Sequence, residues 1–256
     1  MNTNKNSYIL IYSTVMVILI AFLLSFVSNA LKDRQEANVK LDKKRQILSS
    51  LRIDLRGQDV EALFDKYIID GWVINSNAEL LYESIESAFE IEIVREMAKP
   101  LKERQLPVYI ADVDGQRKLI ISLRGAGLWG PLWGYVALND DRNTIFGAYF
   151  SHEAETPGLG SNIIDAPFQN QFIGKHILNE KREFVSVAVM KAGQRAEGRE
   201  QVDALSGGTI TSKGVEAMLF SSLNQYDAFF QQEEIRQEKI QQEEIEQPQT
   251  TEGGEE

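Results

Sequence analysis

The sequence contains no cysteine among its 256 residues. Disulfide bonds, zinc–thiolate sites, iron–sulfur clusters and thiol nucleophiles are therefore excluded. An electron-transfer protein of this composition would need an organic cofactor or haem. Histidine is also scarce: His152 and His176 are the only two, and neither has a partner at the spacing typical of metal ligands. We predict no metal site and no catalytic triad, and we assign both histidines structural or loop-ordering roles.

Basic residues form no stripe along the chain, which argues against nucleic-acid binding. The net charge is −11, and it is unevenly distributed, because residues 231–256 hold nine Glu against Arg236 and Lys239. The phrase QQEEI occurs in this segment at 231–235 and again at 241–245. This Gln/Glu bias predicts an acidic, solvated tail.

The one long apolar run lies at the N-terminus. Residues 6–31 carry no charge, and the mostly apolar stretch Tyr8–Val27 is long enough to span a bilayer as a helix. A cleaved signal peptide is the alternative, because residues 28–30 (SNA) resemble a cleavage site. The run is long for a signal peptide and only Lys5 precedes it, so we predict a retained transmembrane anchor over residues 1–31.

The basic residues near the anchor bear on its orientation. Only Lys5 precedes the run, whereas six follow it closely: Lys32, Arg34, Lys40, Lys43, Lys44 and Arg45. The positive-inside rule alone would place the following domain in the cytoplasm. Large domains can cross the membrane regardless of nearby charge, so the charge pattern leaves the orientation open.

Beyond the anchor, composition divides the chain into a charged stalk at 32–50, a folded domain at 51–230 and the acidic tail at 231–256. Two stretches have the spacing of helices, 78–98 and 212–230. The second carries an apolar stripe that we interpret as core, formed by Val215, Met218, Leu219, Leu223, Tyr226, Phe229 and Phe230.

The middle of the chain has the pattern of antiparallel β-structure. Asp114-Gly115 is a strong turn signal between the strand stretches 108–113 and 118–123. A second hairpin is predicted from 132–138 and 144–151, and a further strand at 184–190. The predicted fold class is α+β, with one transmembrane helix and then a mixed or antiparallel sheet flanked by helices.

The most informative segment is Asp203–Ser212, with the sequence DALSGGTITS. Its glycine pair and hydroxyl residues directly precede the predicted final helix. Glycines let backbone N–H groups approach an anion, and a helix start adds unsatisfied donors and partial positive charge. The pattern fits a phosphate-binding loop that needs no lysine. An ordinary helix cap formed by Thr211 or Ser212 is the alternative.

This segment resembles the flavinylation motif of the FMN-binding domain family. That family includes the C subunit of sodium-pumping NADH:quinone oxidoreductases and the G subunit of Rnf complexes. The final threonine of such motifs takes FMN through a phosphoester bond, and Thr211 occupies that position. Gly208 stands where the family usually has alanine, which loosens the loop without removing a donor.

Two upstream segments favour the quinone reductase family over the Rnf alternative. Residues 125–135 (GAGLWGPLWGY) resemble its Gly-Leu-Trp signature, and residues 152–160 (HEAETPGLG) resemble its His-x-x-Glu-Thr-Pro-Gly-Leu-Gly loop. We interpret Trp133 as a core residue. The resemblance, together with the phosphate-loop reading, suggests FMN-contacting residues besides Thr211: Leu128, Trp129, Glu155, Thr156, Leu159, Lys191, Ser206, Gly207, Gly208, Thr209 and Ile210.

The resemblance implies FMN held covalently on Thr211 of a single-pass protein, with its domain on the extracytoplasmic side of a bacterial inner membrane. It implies an electron relay between NADH and quinone in a sodium pump, with the other pump subunits as partners. A flavin transferase using FAD and a divalent metal would attach the cofactor. A membrane-tethered assembly or binding module without a cofactor is the alternative from another class.

Overall fold

The computed structural model describes residues 6–232, and it divides the chain into two compact units, up to Lys44 and from Arg45 onward. The first unit is part of helix α1 (Asn6–Ser50). Among the described residues, α1 is the one helix long and apolar enough to cross a membrane, with a mean hydropathy of 2.6 over its most apolar window. This agrees with the predicted anchor. The predicted tail, apart from residues 231–232, lies outside the described residues.

The second unit is built on one antiparallel sheet of six strands in the spatial order β2-β1-β3-β4-β5-β6. Its strands are β1 (Ile68–Ile74), β2 (Leu80–Glu83), β3 (Leu106–Val113), β4 (Gln116–Ala126), β5 (Pro131–Asn139) and β6 (Ile145–His152). Together with the helices, this sheet confirms the predicted α+β class.

Both predicted hairpins are present. Asp114 and Gly115 have φ of 54° and 76°, and they join β3 to β4 with Val113 paired to Gln116. Two consecutive residues with positive φ twist the turn in the sense that antiparallel strands require. In the second hairpin, Asp141 accepts hydrogen bonds from the backbone N–H groups of Asn143 and Thr144 and so orders the turn between β5 and β6.

The single helix predicted over 78–98 is wrong. Its first residues form β2, which pairs with β1 so that Trp72 faces Glu83, and only two short helices follow, α3 (Ile85–Glu90) and α4 (Ile93–Met97). The Ser84 side chain caps α3 by accepting the N–H of Ser87. Pairing with the adjacent strand β1, across a turn at residues 75–79, therefore overrides the local helical spacing.

The strand predicted at 184–190 is shorter than expected. Only Ala188–Met190 (β7) is extended, and it pairs in parallel with Gln201–Asp203 (β8). Ser186 has φ of 59°, which is incompatible with an extended strand, so β7 begins only after this residue. The unit also contains α2 (Val60–Tyr67), α5 (Ala166–Gln169) and several short 3-10 turns.

Helix α6 (Thr209–Leu223) begins three residues before the predicted start, a 3-10 turn (Asn224–Tyr226) follows it, and residues 227–232 are again helical. Helix α6 packs on β4, where Ser222 Oγ accepts the backbone N–H of Arg124. All seven residues of the predicted apolar stripe are buried in one core with the sheet, which confirms that stripe. Trp133 is only half-buried, and its Nε1 donates to Gln46 Oε1 at 3.1 Å. The prediction that it belongs to the core is therefore wrong.

Gly134 offers a test of the sheet packing. A Cβ at this position in the middle of β5 would overlap the carbonyl oxygen of Tyr149 on β6. We expect Gly134→Ala to lower the free energy of unfolding by about 1–3 kcal/mol, because backbone of a paired strand cannot give way cheaply. Gly130→Ala is the matched control, since its Cβ would make only ordinary contacts, the nearest at 3.5 Å. Urea unfolding of the detergent-solubilised protein measures both; equal stability of the two variants would contradict this packing.

Candidate functional site

Three segments distant in sequence meet at one end of the sheet. The first is the turn at 127–130 between β4 and β5, and the second is the loop that follows β6 at 153–159. The third is the loop at 204–208 that leads from β8 into α6. These are the three segments that carry the sequence motifs, so the structure brings the motifs together.

Thr211 is the third residue of α6. Its side chain is only 2% exposed, and its Oγ1 donates a hydrogen bond to Glu155 Oε2 at 2.5 Å. The two residues are 56 positions apart in the sequence. The hydroxyl that the motif marks as the flavin acceptor is therefore held by a carboxylate from another loop.

Glu155 is itself buried, at 4% exposure. Its other oxygen, Oε1, accepts the backbone N–H of Trp129 at 2.9 Å. Its own N–H donates to His152 Nδ1 at 3.2 Å, which confirms the loop-ordering role of this histidine. Burial acts to raise the pKa of Glu155, but hydrogen bonds from Thr211, Trp129 and Leu128 outweigh it and hold the pKa below its ordinary value. The carboxylate is thus ionised at neutral pH.

Two glycines leave the space in which Glu155 and Thr211 meet. A Cβ on Gly160 would overlap Thr211 Oγ1 and approach Glu155 Oε2 to 2.6 Å. A Cβ on Gly127 would overlap Glu155 Oε1. Larger residues at either position would push the carboxylate away from the threonine, so these glycines belong to the site although they were not among its predicted residues.

The start of α6 provides a second feature, a set of backbone donors. Its first N–H groups have no acceptor within the helix, and Gly208 at the N-cap offers no side chain to satisfy them. The preceding Gly207 has φ of 73°, which an L side chain rarely adopts. The segment therefore has the backbone expected of an anion-binding loop.

Ser212 has a different role from an ordinary helix cap. Its side chain is fully buried, and its Oγ accepts the backbone N–H of Leu205 at 3.0 Å. It therefore closes the loop on the first turn of α6 from within. This role could not be predicted from the sequence, because a serine seven residues after a leucine is a common spacing.

A cavity of about 240 Å³ opens beside Thr211. Large apolar side chains lie exposed around it: Leu128, Trp129, Leu159 and Ile210 are between 43% and 66% exposed. The cavity is at the small end for a cofactor pocket, so it suits a phosphate and sugar chain while the apolar rim suits a flat ring. The chemistry of these residues therefore fits a flavin mononucleotide.

Most of the predicted site residues line this cavity. Trp129 lies outside the lining but holds Glu155 through its backbone, and Ser206 is exposed on the loop. Lys191 is also exposed and outside the lining; it follows Met190, which pairs with Asp203 at the start of the motif. The lining consists of Leu128, Glu155, Thr156, Leu159, Gly160, Gly207, Gly208, Thr209, Ile210 and Thr211.

A larger cavity, about 680 Å³, lies elsewhere and contains none of the predicted site residues. His176 is on its wall and pairs with Glu200, Nδ1 to Oε1 at 2.5 Å. Within residues 6–232 no group of His, Asp and Glu side chains could hold a metal ion.

Comparison with known proteins agrees with this geometry. The FMN-binding domain family matches residues 127–224, which contain all three segments of the site. The solved structure of the C subunit of the Na(+)-translocating NADH-quinone reductase from Parabacteroides distasonis superposes with a TM-score of 0.72 at 45% identity, covering 78% of this chain and 96% of that one. NqrC of Shewanella oneidensis gives 0.65 at 26% identity, covering 78% and 99%.

The fold and the site thus define an FMN-binding domain protein with an N-terminal apolar helix. The C subunit of the Na(+)-translocating NADH-quinone reductase of Pseudomonas aeruginosa is 32% identical, over 85% of this chain and 95% of that protein. Its counterpart in Vibrio alginolyticus is also 32% identical, over 77% and 82%. The chain belongs to this family, the C subunits of Na(+)-translocating NADH-quinone reductases.

The loop before α6 can be tested by a matched pair of substitutions. Gly207→Ala would strain a positive φ and bring Cβ within 2.6 Å of Leu159 Cδ2. Gly193→Ala would strain a positive φ of 83° in open space. We expect Gly207→Ala to lower the flavin bound per chain several-fold, and Gly193→Ala to leave it unchanged. Visible absorbance per chain, with circular dichroism to check folding, measures the effect; equal flavin content in both folded variants would remove Gly207 from the site.

Proposed function

We propose that this chain is the FMN-carrying electron-transfer subunit of a Na(+)-translocating NADH-quinone reductase, with its flavin joined to Thr211 through a phosphoester bond. The observation that carries the proposal is the position of Thr211. It fills the last place of the flavinylation motif, lies in the first turn of α6, and lines a cavity rimmed by exposed apolar side chains.

The chain's own residues suit each part of the cofactor. The N–H groups at the start of α6, which no side chain caps, would hold the phosphate, and a helix start stabilises such a charge by about 0.3–1 kcal/mol. Leu128, Trp129 and Leu159 provide the apolar wall for the ring, and Thr156 a polar group at its edge. When bound, FMN would supply the ability to accept and release electrons reversibly.

A covalent bond has a physical rationale if the domain lies outside the cytoplasm. Free FMN is dilute there, so a site that held it only by equilibrium binding would empty unless its Kd were very low. An ester bond removes this dependence on concentration. We propose that a flavin transferase forms the bond and that the partner subunits carry out NADH oxidation, quinone reduction and sodium passage.

The attachment residue is tested by comparing two threonines of the same motif. We expect Thr211→Ala, made together with a flavin transferase, to lose all flavin that survives denaturation, because the acceptor oxygen is gone. Thr209→Ala should keep covalent flavin, since it removes a hydroxyl two residues away. In-gel flavin fluorescence after denaturing electrophoresis measures both. Covalent flavin in the Thr211→Ala variant would move the attachment elsewhere, and a wild-type chain without any flavin would favour the cofactor-free tether.

The topology follows from the same proposal. We propose that the N-terminus is cytoplasmic and that residues 32–256 are extracytoplasmic, in the inner membrane of a bacterium. The local excess of Lys and Arg after the anchor favours the opposite orientation. The large folded domain and its covalent flavin are the features that favour translocation.

The absence of cysteine makes the orientation simple to measure. Lys102→Cys places a single thiol at an exposed position of the domain, and Asn2→Cys places one before the anchor. We expect a membrane-impermeant maleimide to label Lys102→Cys in intact spheroplasts and Asn2→Cys only after permeabilisation. The reverse pattern would show that the positive-inside rule governs this chain.

A further inference from the structure

We propose that the Glu155 carboxylate accepts the proton of the Thr211 hydroxyl when the flavin is attached. The inference rests on the proposed function, because it concerns the chemistry of the same acceptor. The contact that carries it is direct: Thr211 Oγ1 donates to Glu155 Oε2 at 2.5 Å. A proton acceptor must lie within hydrogen-bond reach of the proton it takes, and Glu155 Oε2 meets this condition.

The proposed step balances without a further reactant beyond the flavin donor. With a flavin dinucleotide as donor, Thr211 Oγ attacks the phosphorus that bears the riboflavin, and a new P–O bond forms. The P–O bond to the adenylate breaks, and AMP leaves with the electron pair. The hydroxyl proton passes to Glu155 and then to water. A neutral hydroxyl is a weak nucleophile, so an adjacent base is the usual means of activating it.

Glu155 is held in position for this role by the rest of the site. Oε1 is fixed by the N–H of Trp129 at 2.9 Å, which leaves Oε2 for the threonine. His152 is the titratable group whose charge acts on Glu155, and its Nδ1 already accepts the Glu155 N–H. The hydrogen bonds from Thr211 and the backbone lower the pKa of Glu155, which keeps it ionised at the pH of the reaction.

Burial of the pair adds a second argument. Thr211 is 2% and Glu155 4% exposed, so bulk water has little access to the hydroxyl proton. A buried carboxylate without donors would be unfavourable, and here Thr211 supplies the side-chain donor beside the backbone N–H of Trp129. A contact with FMN alone would not account for the hydrogen bond between Thr211 and Glu155.

The experiment compares two glutamates of one loop. Glu155→Gln keeps the size of the side chain but removes its basicity, and Glu153→Gln makes the same change at an exposed position two residues away. Purified full-length protein is mixed with a flavin transferase, FAD and a divalent metal, and the initial rate of covalent flavin incorporation is measured. We expect about a 100-fold fall for Glu155→Gln, the lower end of the usual effect of a general base, and no change for Glu153→Gln.

The dependence on pH separates a base from a residue that only positions the threonine. Without Glu155, hydroxide must take the proton, so the ratio of wild-type to Glu155→Gln rates should shrink steadily from about pH 6 to pH 9. A residue that only positions would give a constant ratio. Taking the ratio at each pH cancels the pH dependence of the transferase itself.

A second variant covers the case in which Glu155→Gln does not fold, which circular dichroism would reveal. Glu155→Ala leaves space for a small carboxylate, and added formate should restore its rate, while formate leaves the Glu153→Gln rate unchanged. A Glu155→Gln rate equal to wild type, a constant rate ratio, or no formate rescue would each overturn the proton-acceptor role while leaving the Thr211 assignment standing. A wild-type chain that takes no flavin on Thr211 would overturn both.

Discussion

The site depends on one hydrogen bond, from Thr211 Oγ1 to Glu155 Oε2. It joins the first turn of α6 to the loop after β6, and the same carboxylate joins both to the turn between β4 and β5 through Trp129. A buried carboxylate is tolerated only where donors surround it. Here each oxygen has a donor, and Gly127 and Gly160 leave the room the pair needs.

The sheet explains why these three segments meet. Ala126 at the end of β4 pairs with Pro131 at the start of β5, and Leu132 pairs with His152 at the end of β6. The turn at 127–130 and the loop at 153–159 therefore leave the sheet at the same end. The third loop follows β8 of the separate β7-β8 pair, and α6 begins at Thr209, six residues after Asp203. Strand register places the first two loops together, the packing of α6 on β4 brings in the third, and the hydrogen bond joins them.

The features that were predicted correctly from the sequence are those that short-range interactions determine. The Asp114-Gly115 turn and the stripe from Val215 to Phe230 were recognisable because a tight turn and a buried helix face each have a short-range pattern. The helix over 78–98 failed because residues 80–83 pair with the preceding strand β1, which their helical spacing does not indicate. The Glu155–Thr211 contact was beyond prediction for a different reason, since nothing in either loop encodes a partner 56 residues away. The sequence motifs identified the candidate site residues, and the structure shows how Thr211, Glu155 and Trp129 contact one another.

Mass spectrometry of the mature protein tests most directly whether Thr211 carries the flavin. Trypsin should release residues 200–213 as one peptide, cut after Arg199 and Lys213, containing Ser206, Thr209, Thr211 and Ser212. We expect this peptide to carry the mass of an FMN phosphoester, and fragmentation to place it on Thr211. An unmodified peptide from flavin-containing protein, or a flavin on any of the other three hydroxyls, would contradict the assignment.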